Sequence, residues 1–88
     1  MVLSGRMIKG YKILRQVDFT DECAKSDSFH DKLENCLLGV CRVSDIPAPI
    51  WLSKNTLELA KFRKTNFYKD QFTEAINFDR FEIKIIEI

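Results

Sequence analysis

The sequence predicts an α+β fold: a small mixed, mostly antiparallel sheet of three to five strands packed against two or three helices. Three observations carry that prediction. In residues 11–19, Tyr11, Ile13, Val17 and Phe19 fall on one side at period two, with Arg15 interrupting the row, as in a half-buried strand. Near the end of the chain, Phe81, Ile83 and Ile85 alternate with Glu82 and Lys84 in the same way. Between these segments, Phe29, Leu33, Cys36, Leu37 and Val40 recur at spacings of three and four, which places them on one stripe of a helix.

The 88 residues suit one globular domain spanning 1–88, and 45% hydrophobic residues with seven Phe can supply a modest core. Residues 2–8 read as a strand paired with 11–19 across a Lys9-Gly10 turn, or as one strand broken by a bulge at Gly10. The alternative start at Met7 would make residues 1–6 a disordered extension. Residues 18–28 are acidic and offer several N-cap candidates, so the first helix is expected from Asp27 or Ser28 to about Leu38. Gly39 reads as its terminator, followed by a strand over Val40–Val43.

Pro47 and Pro49 force residues 46–50 into extended backbone, and Trp51-Leu52 reads as a short strand after them. Ser53 and Asn55 are candidate N-caps for a helix reaching Lys64, with Leu59, Ala60 and Phe62 on its apolar arc. Arg63 falls inside that arc, so it snorkels or the helix frays there. Tyr68, Phe72, Ala75 and Ile76 give a further helical stripe. Residues 80–88 form the last strand, and where the alternation slips at Ile85-Ile86 either a bulge occurs or both faces are covered. If that strand lay at a sheet edge, it would invite a homodimer.

The net charge of +1 hides alternating blocks. Residues 1–17 carry four bases and no acid, and residues 18–47 seven acids and three bases. Residues 54–69 carry five bases and one acid, and residues 70–88 five acids and two bases. Such blocks suit a surface with a basic and an acidic side. Three cysteines cannot all pair within one chain, and no run approaches the ~20 apolar residues of a membrane span. A cytoplasmic protein that does not enter a membrane is therefore expected.

Motifs for chemistry are weak. Cys23, His30, Cys36 and Cys41 are spaced C-x6-H-x5-C-x4-C, without the tight knuckle that preorganises two thiolates on zinc. The helical stripe already claims Cys36 for the core, so neither a metal nor any other cofactor is expected. A cysteine–histidine nucleophile would have to use His30, the single histidine. Gly5, Gly10 and Gly39 stand alone, so no phosphate-binding loop is present.

The positive signal is the stretch 54–69, where Lys54, Lys61, Arg63, Lys64 and Lys69 interleave with Phe62, Phe67 and Tyr68. The resulting expectation is a non-enzymatic module that binds a protein partner through this basic helix and the approach at Trp51. Nucleic-acid or anionic-ligand binding through the same cations and aromatics is the alternative. A small cysteine-dependent enzyme ranks third.

Overall fold

The first two strands form a hairpin because two alternating segments meet at a glycine that can turn the chain. β1 (Val2–Lys9) and β2 (Lys12–Thr20) pair antiparallel, and Gly10 between them has φ +59°. That left-handed value costs glycine little. In this structure, a computed structural model, residues 2–20 and 29–87 are described, except for the side chains at positions 29, 30 and 32. The expected helix start at Asp27 or Ser28 lies outside the described residues.

Strand β3 (Lys64–Tyr68) and strand β4 (Arg80–Glu87) complete a four-stranded sheet of order β2-β1-β4-β3. All three pairings are antiparallel, so the sheet is not mixed. Residues 2–6 are no extension: they form the first half of a central strand, and Leu3 is fully buried. The slip at Ile85-Ile86 is a bulge. Leu3 pairs with Ile85 and Val2 with Glu87, which leaves Ile86 unpaired and exposed. β4 is central and offers no free edge. The edges are β3 and β2, and β2 has a bulge of its own, because Met7 pairs with Arg15 and Ile8 with Ile13, passing over Leu14.

The first helix corrects the expected break at Gly39. α1 (Phe29–Ser44) runs through Gly39, and the Val40–Val43 segment is helical rather than a strand. Leu33, Cys36, Leu37, Val40, Cys41 and Ser44 are all buried, so the inward stripe simply continues. Gly39 answers a different need: a Cβ there would overlap the Phe19 ring, so glycine lets α1 approach β2. The helix ends one turn later. Asp45 turns left-handed (φ 59°), its N–H donates to Arg42 O, and the Ile46 N–H donates to Cys41 O. Those two bonds make a Schellman motif, which satisfies carbonyls the helix leaves open.

Residues 46–52 run without helix or strand, so Trp51-Leu52 does not form the expected strand. α2 (Ser53–Phe62) follows with Leu52 at its N-cap. Asn55 caps from the third position, its Oδ1 accepting the Leu52 N–H at 3.0 Å. Arg63 neither snorkels nor frays. It ends the helix in the left-handed region (φ 61°) and donates its N–H to Leu59 O. Of the expected apolar arc only Leu59 is buried, while Phe62 is 65% exposed. α2 packs chiefly on the short edge strand β3, which has only Thr65 and Phe67 to offer on that side.

The stripe Tyr68, Phe72, Ala75 and Ile76 is not helical. Thr65 and Phe67 point inward at period two along β3, a 3-10 turn follows at Lys69–Gln71, and residues 72–79 are irregular. Pairing with β4 satisfies the backbone of residues 64–68 and buries Phe67 against the core, which outweighs a marginal helical pattern. Phe72 and Phe78 meet edge to face at 5.6 Å, and Phe78 stands 6.4 Å from Phe81. The core therefore lies between one face of the sheet and the two helices, with Leu3, Phe67, Phe81 and Ile83 meeting Leu33, Cys36, Val40 and Leu59.

Candidate partner-binding face

Strand periodicity leaves the alternate residues on the side away from both helices, and the register sorts them into rows. Lys64, Lys84, Ser4 and Asp18 lie side by side in the first row. Asn66, Glu82, Arg6 and Gln16 form the second, and Tyr68, Arg80, Ile8 and Ile13 the third. Tyr68 is 46% exposed and Ile13 53%, so this face presents an aromatic and an aliphatic group to solvent along with its charges.

The electrostatics are uneven across the face. Glu82 is only 18% exposed and lies 3.9 Å from the Arg6 guanidinium, so its charge is partly compensated. Lys64 and Lys84 stand directly opposite one another, an arrangement that destabilises a sheet. Arg80 Nε and Asn66 Oδ1 are buried and make no hydrogen bond. Lys54 reaches round the β3 edge, its Nζ 5.5 Å from the Tyr68 ring centroid. The β3–β4 half thus gathers four cations, from two separate sequence blocks, around one compensated acid.

The expected site residues divide among different surroundings. Lys54, Lys64 and Tyr68 belong to this face or its rim. Phe67 is fully buried and is no contact residue. Trp51 is half-buried, its Nε1–H donating to Thr56 Oγ1 at 2.6 Å and its ring tilted on Phe67 at 5.6 Å. Lys61 and Arg63 are exposed at the end of α2. Lys69 pairs with Asp79 at 3.6 Å, and Asp79 also accepts the Gly10 N–H at 2.7 Å. That backbone donor, with Lys69 and Lys9 nearby, holds the Asp79 carboxyl below its ordinary range. Arg6, Arg80 and Lys84 are absent from the expected set, because only the register brings them beside Lys64 and Tyr68.

A buried polar network holds the β3 half in place. Asn55 donates to Thr65 Oγ1 (2.8 Å) and to Asn66 O (3.2 Å), and its Oδ1 accepts from Leu52 N and Gln71 Nε2 (3.1 Å). Gln71 also donates to Ile50 O and accepts the Tyr68 N–H, while the Thr65 hydroxyl donates to Glu58. All four hydrogen-bonding positions of the Asn55 amide are used, so burying it carries no desolvation penalty for an orphaned group.

Of the cysteine–histidine set, Cys23 and the His30 side chain lie outside the described residues. Cys36 and Cys41 are buried on the inner stripe of α1, and burial pushes the Cys41 thiol up to about 12, the opposite of an activated nucleophile. Among the described residues no three His, Cys, Asp or Glu side chains converge as metal ligands. No described helix is long and apolar enough to cross a membrane. A cavity of about 120 Å³ lies between α1 and Trp51, lined by Glu34, Leu37, Leu38, Ala48 and Pro49. It is smaller than the roughly 300–1,000 Å³ of small-molecule sites, whereas a more open cleft of about 340 Å³ between Asp45–Pro47 and Ala75–Phe78 reaches the low end of that range. Comparison with protein-family models, with curated proteins and with solved structures found no match.

Proposed function

We propose that the protein is a non-enzymatic binding module of the cytoplasm that contacts a protein partner through the sheet face turned away from its helices. The observation that carries this reading is the third row of that face. Tyr68, Arg80 and Ile13 place aromatic, guanidinium and aliphatic groups in one row around a buried Ile8, and tyrosine and arginine are residue types that anchor protein interfaces. The odd cysteine count and the two buried cysteine side chains support a reducing compartment. The module acts as a single chain: the long edge strand β2 carries a bulge at Leu14 together with Lys12 and Arg15, devices that oppose edge-to-edge pairing.

The nucleic-acid reading draws on the same cations, but it loses Phe67 as a stacking group and retains Tyr68 alone on this face. Affinity capture from source lysate tests the module reading by comparing variants. A stoichiometric protein retained by the wild type and by Lys61→Glu is expected to be lost with Tyr68→Ala/Arg80→Glu, with all variants folded by circular dichroism. Equal retention by the face variant, or retention of nucleic acid instead of protein, would refute it.

A further inference from the structure

The charge pattern along β3 and β4 specifies the partner's chemistry more closely, and this step rests on the module reading above. We infer that the β3–β4 half of the open face recognises an extended acidic peptide segment, with carboxylates four residues apart and an uncharged or basic residue midway between them.

The spacing comes from the strands. Arg80, Glu82 and Lys84 share one face of β4, and alternate residues of a strand advance about 6.7 Å. Positive positions therefore lie at both ends of a span of about 13 Å, with a carboxylate between them. At the far end Lys64 stands opposite Lys84, and no carboxylate of the described residues pairs with either ammonium. A carboxylate placed over that pair relieves a like-charge repulsion that the free protein must bear. At the near end Arg80 has its Nε–H unbonded, beside Tyr68 and diagonal to Asn66, whose Oδ1 also lacks a donor. That Nε–H is enclosed, so a carboxylate meets Arg80 through the terminal N–H groups of the guanidinium, a charge-assisted contact.

The middle position separates a peptide from a nucleic acid. Glu82, compensated by Arg6, sits where the central residue of the segment would lie. A peptide can place glutamine, lysine or a small residue there. A polynucleotide has a negative phosphate at every step and meets Glu82 unfavourably. Ile13, exposed at the end of the Arg80 row, matches an apolar side chain flanking the acids and has no counterpart in phosphate binding.

The test is a nuclear magnetic resonance titration of the whole chain with three probes. One is a capped peptide with two glutamates four residues apart and a glutamine midway. The second replaces both glutamates with glutamine, and the third is oligothymidylate. Saturable shifts at the amides of residues 64–68 and 80–84 are expected with the first peptide. Its affinity should fall by at least about tenfold for the glutamine control and for Arg80→Gln or Lys84→Gln protein. No saturable shift, equal binding of the two peptides, or tighter binding of oligothymidylate would overturn the inference. If the peptide fails while Tyr68→Ala/Arg80→Glu still abolishes capture of a protein partner, the acidic-segment inference falls and the module reading stands.

Discussion

Gly5→Val is expected to leave the chain without a folded state, and Gly5→Ala to cost about 1–3 kcal/mol. Gly5 lies on the central strand β1 with its Cα facing α1, and a Cβ there would stand 2.6 Å from Val40 Cγ1 and 2.7 Å from Phe81 Cζ. Both neighbours are fully buried, so neither can swing away. Opposing the clash is a real gain, since a side chain in place of glycine within a strand is worth about 0.5–1 kcal/mol. The clash is larger, and for valine it grows against a total stability of roughly 4–13 kcal/mol for a chain of this length. Urea unfolding of Gly5→Ala alone and with Val40→Ala checks the cause. The truncated Val40 should make the second change less costly than additivity predicts, because it removes the obstructing carbon. A Gly5→Ala protein more stable than the wild type would mean that α1 does not seat on β1 as described.

Asn55→Ala should be the most damaging single polar substitution, at about 3–5 kcal/mol. It removes four hydrogen bonds at a residue that is 0% exposed, and strands the Leu52 N–H, Asn66 O and parts of Thr65 and Gln71. The neighbouring Ser53→Ala is the informative control. Ser53 has an equally good cap side chain, yet it is exposed and lies inside the helix rather than at its cap, so its loss should stay within about 0.5 kcal/mol. Paired denaturation curves measure both. A loss below about 1 kcal/mol for Asn55→Ala would show that the network is not what ties α2 to β3.

The network also anchors β3 beneath the proposed contact face. Asn55 and Gln71 together reach Ile50, Leu52, Thr65, Asn66 and Tyr68, so the edge strand is tied to the chain before and after it. Lys64 and Tyr68 sit at the two ends of that strand. Rigid placement of the supporting backbone lowers the ordering cost when a partner docks.

How much can be read from the sequence differs by element, for identifiable reasons. β4 shows clean alternation up to Ile85 because one face of the sheet is open, so polar residues are free to occupy every second position. In β2 the expected one-sided row is broken: Tyr11 precedes the strand, and the bulge at Leu14 turns Ile13 to the open face while Val17 and Phe19 face the helices. β3 is hidden: only Thr65 and Phe67 report its inward side, and Tyr68, Phe72 and Ile76 imitate a helix. The second half of α1 is concealed because Gly39 looks like a terminator from sequence. Its cause, the Phe19 ring on another element, is a tertiary contact that no local pattern can reveal. The candidate site is legible in part for the same reason. Lys54, Lys64 and Tyr68 stand out through a basic-aromatic stretch, whereas Arg6, Arg80 and Lys84 join them only through strand register. Phe67 reads wrongly as a contact residue because inward and outward positions cannot be told apart once the strand itself is missed.

Lysine footprinting tests the central claim, that the open sheet face is the contact surface, and it works whatever the partner is. The purified chain is labelled with an amine-reactive reagent in buffer and again in source lysate, and each lysine is quantified by mass spectrometry. Lys64 and Lys84 on the open face should lose reactivity in lysate, while Lys61 on α2 remains as reactive as in buffer. Unchanged reactivity at Lys64 and Lys84, or protection falling on Lys61 instead, would contradict the account.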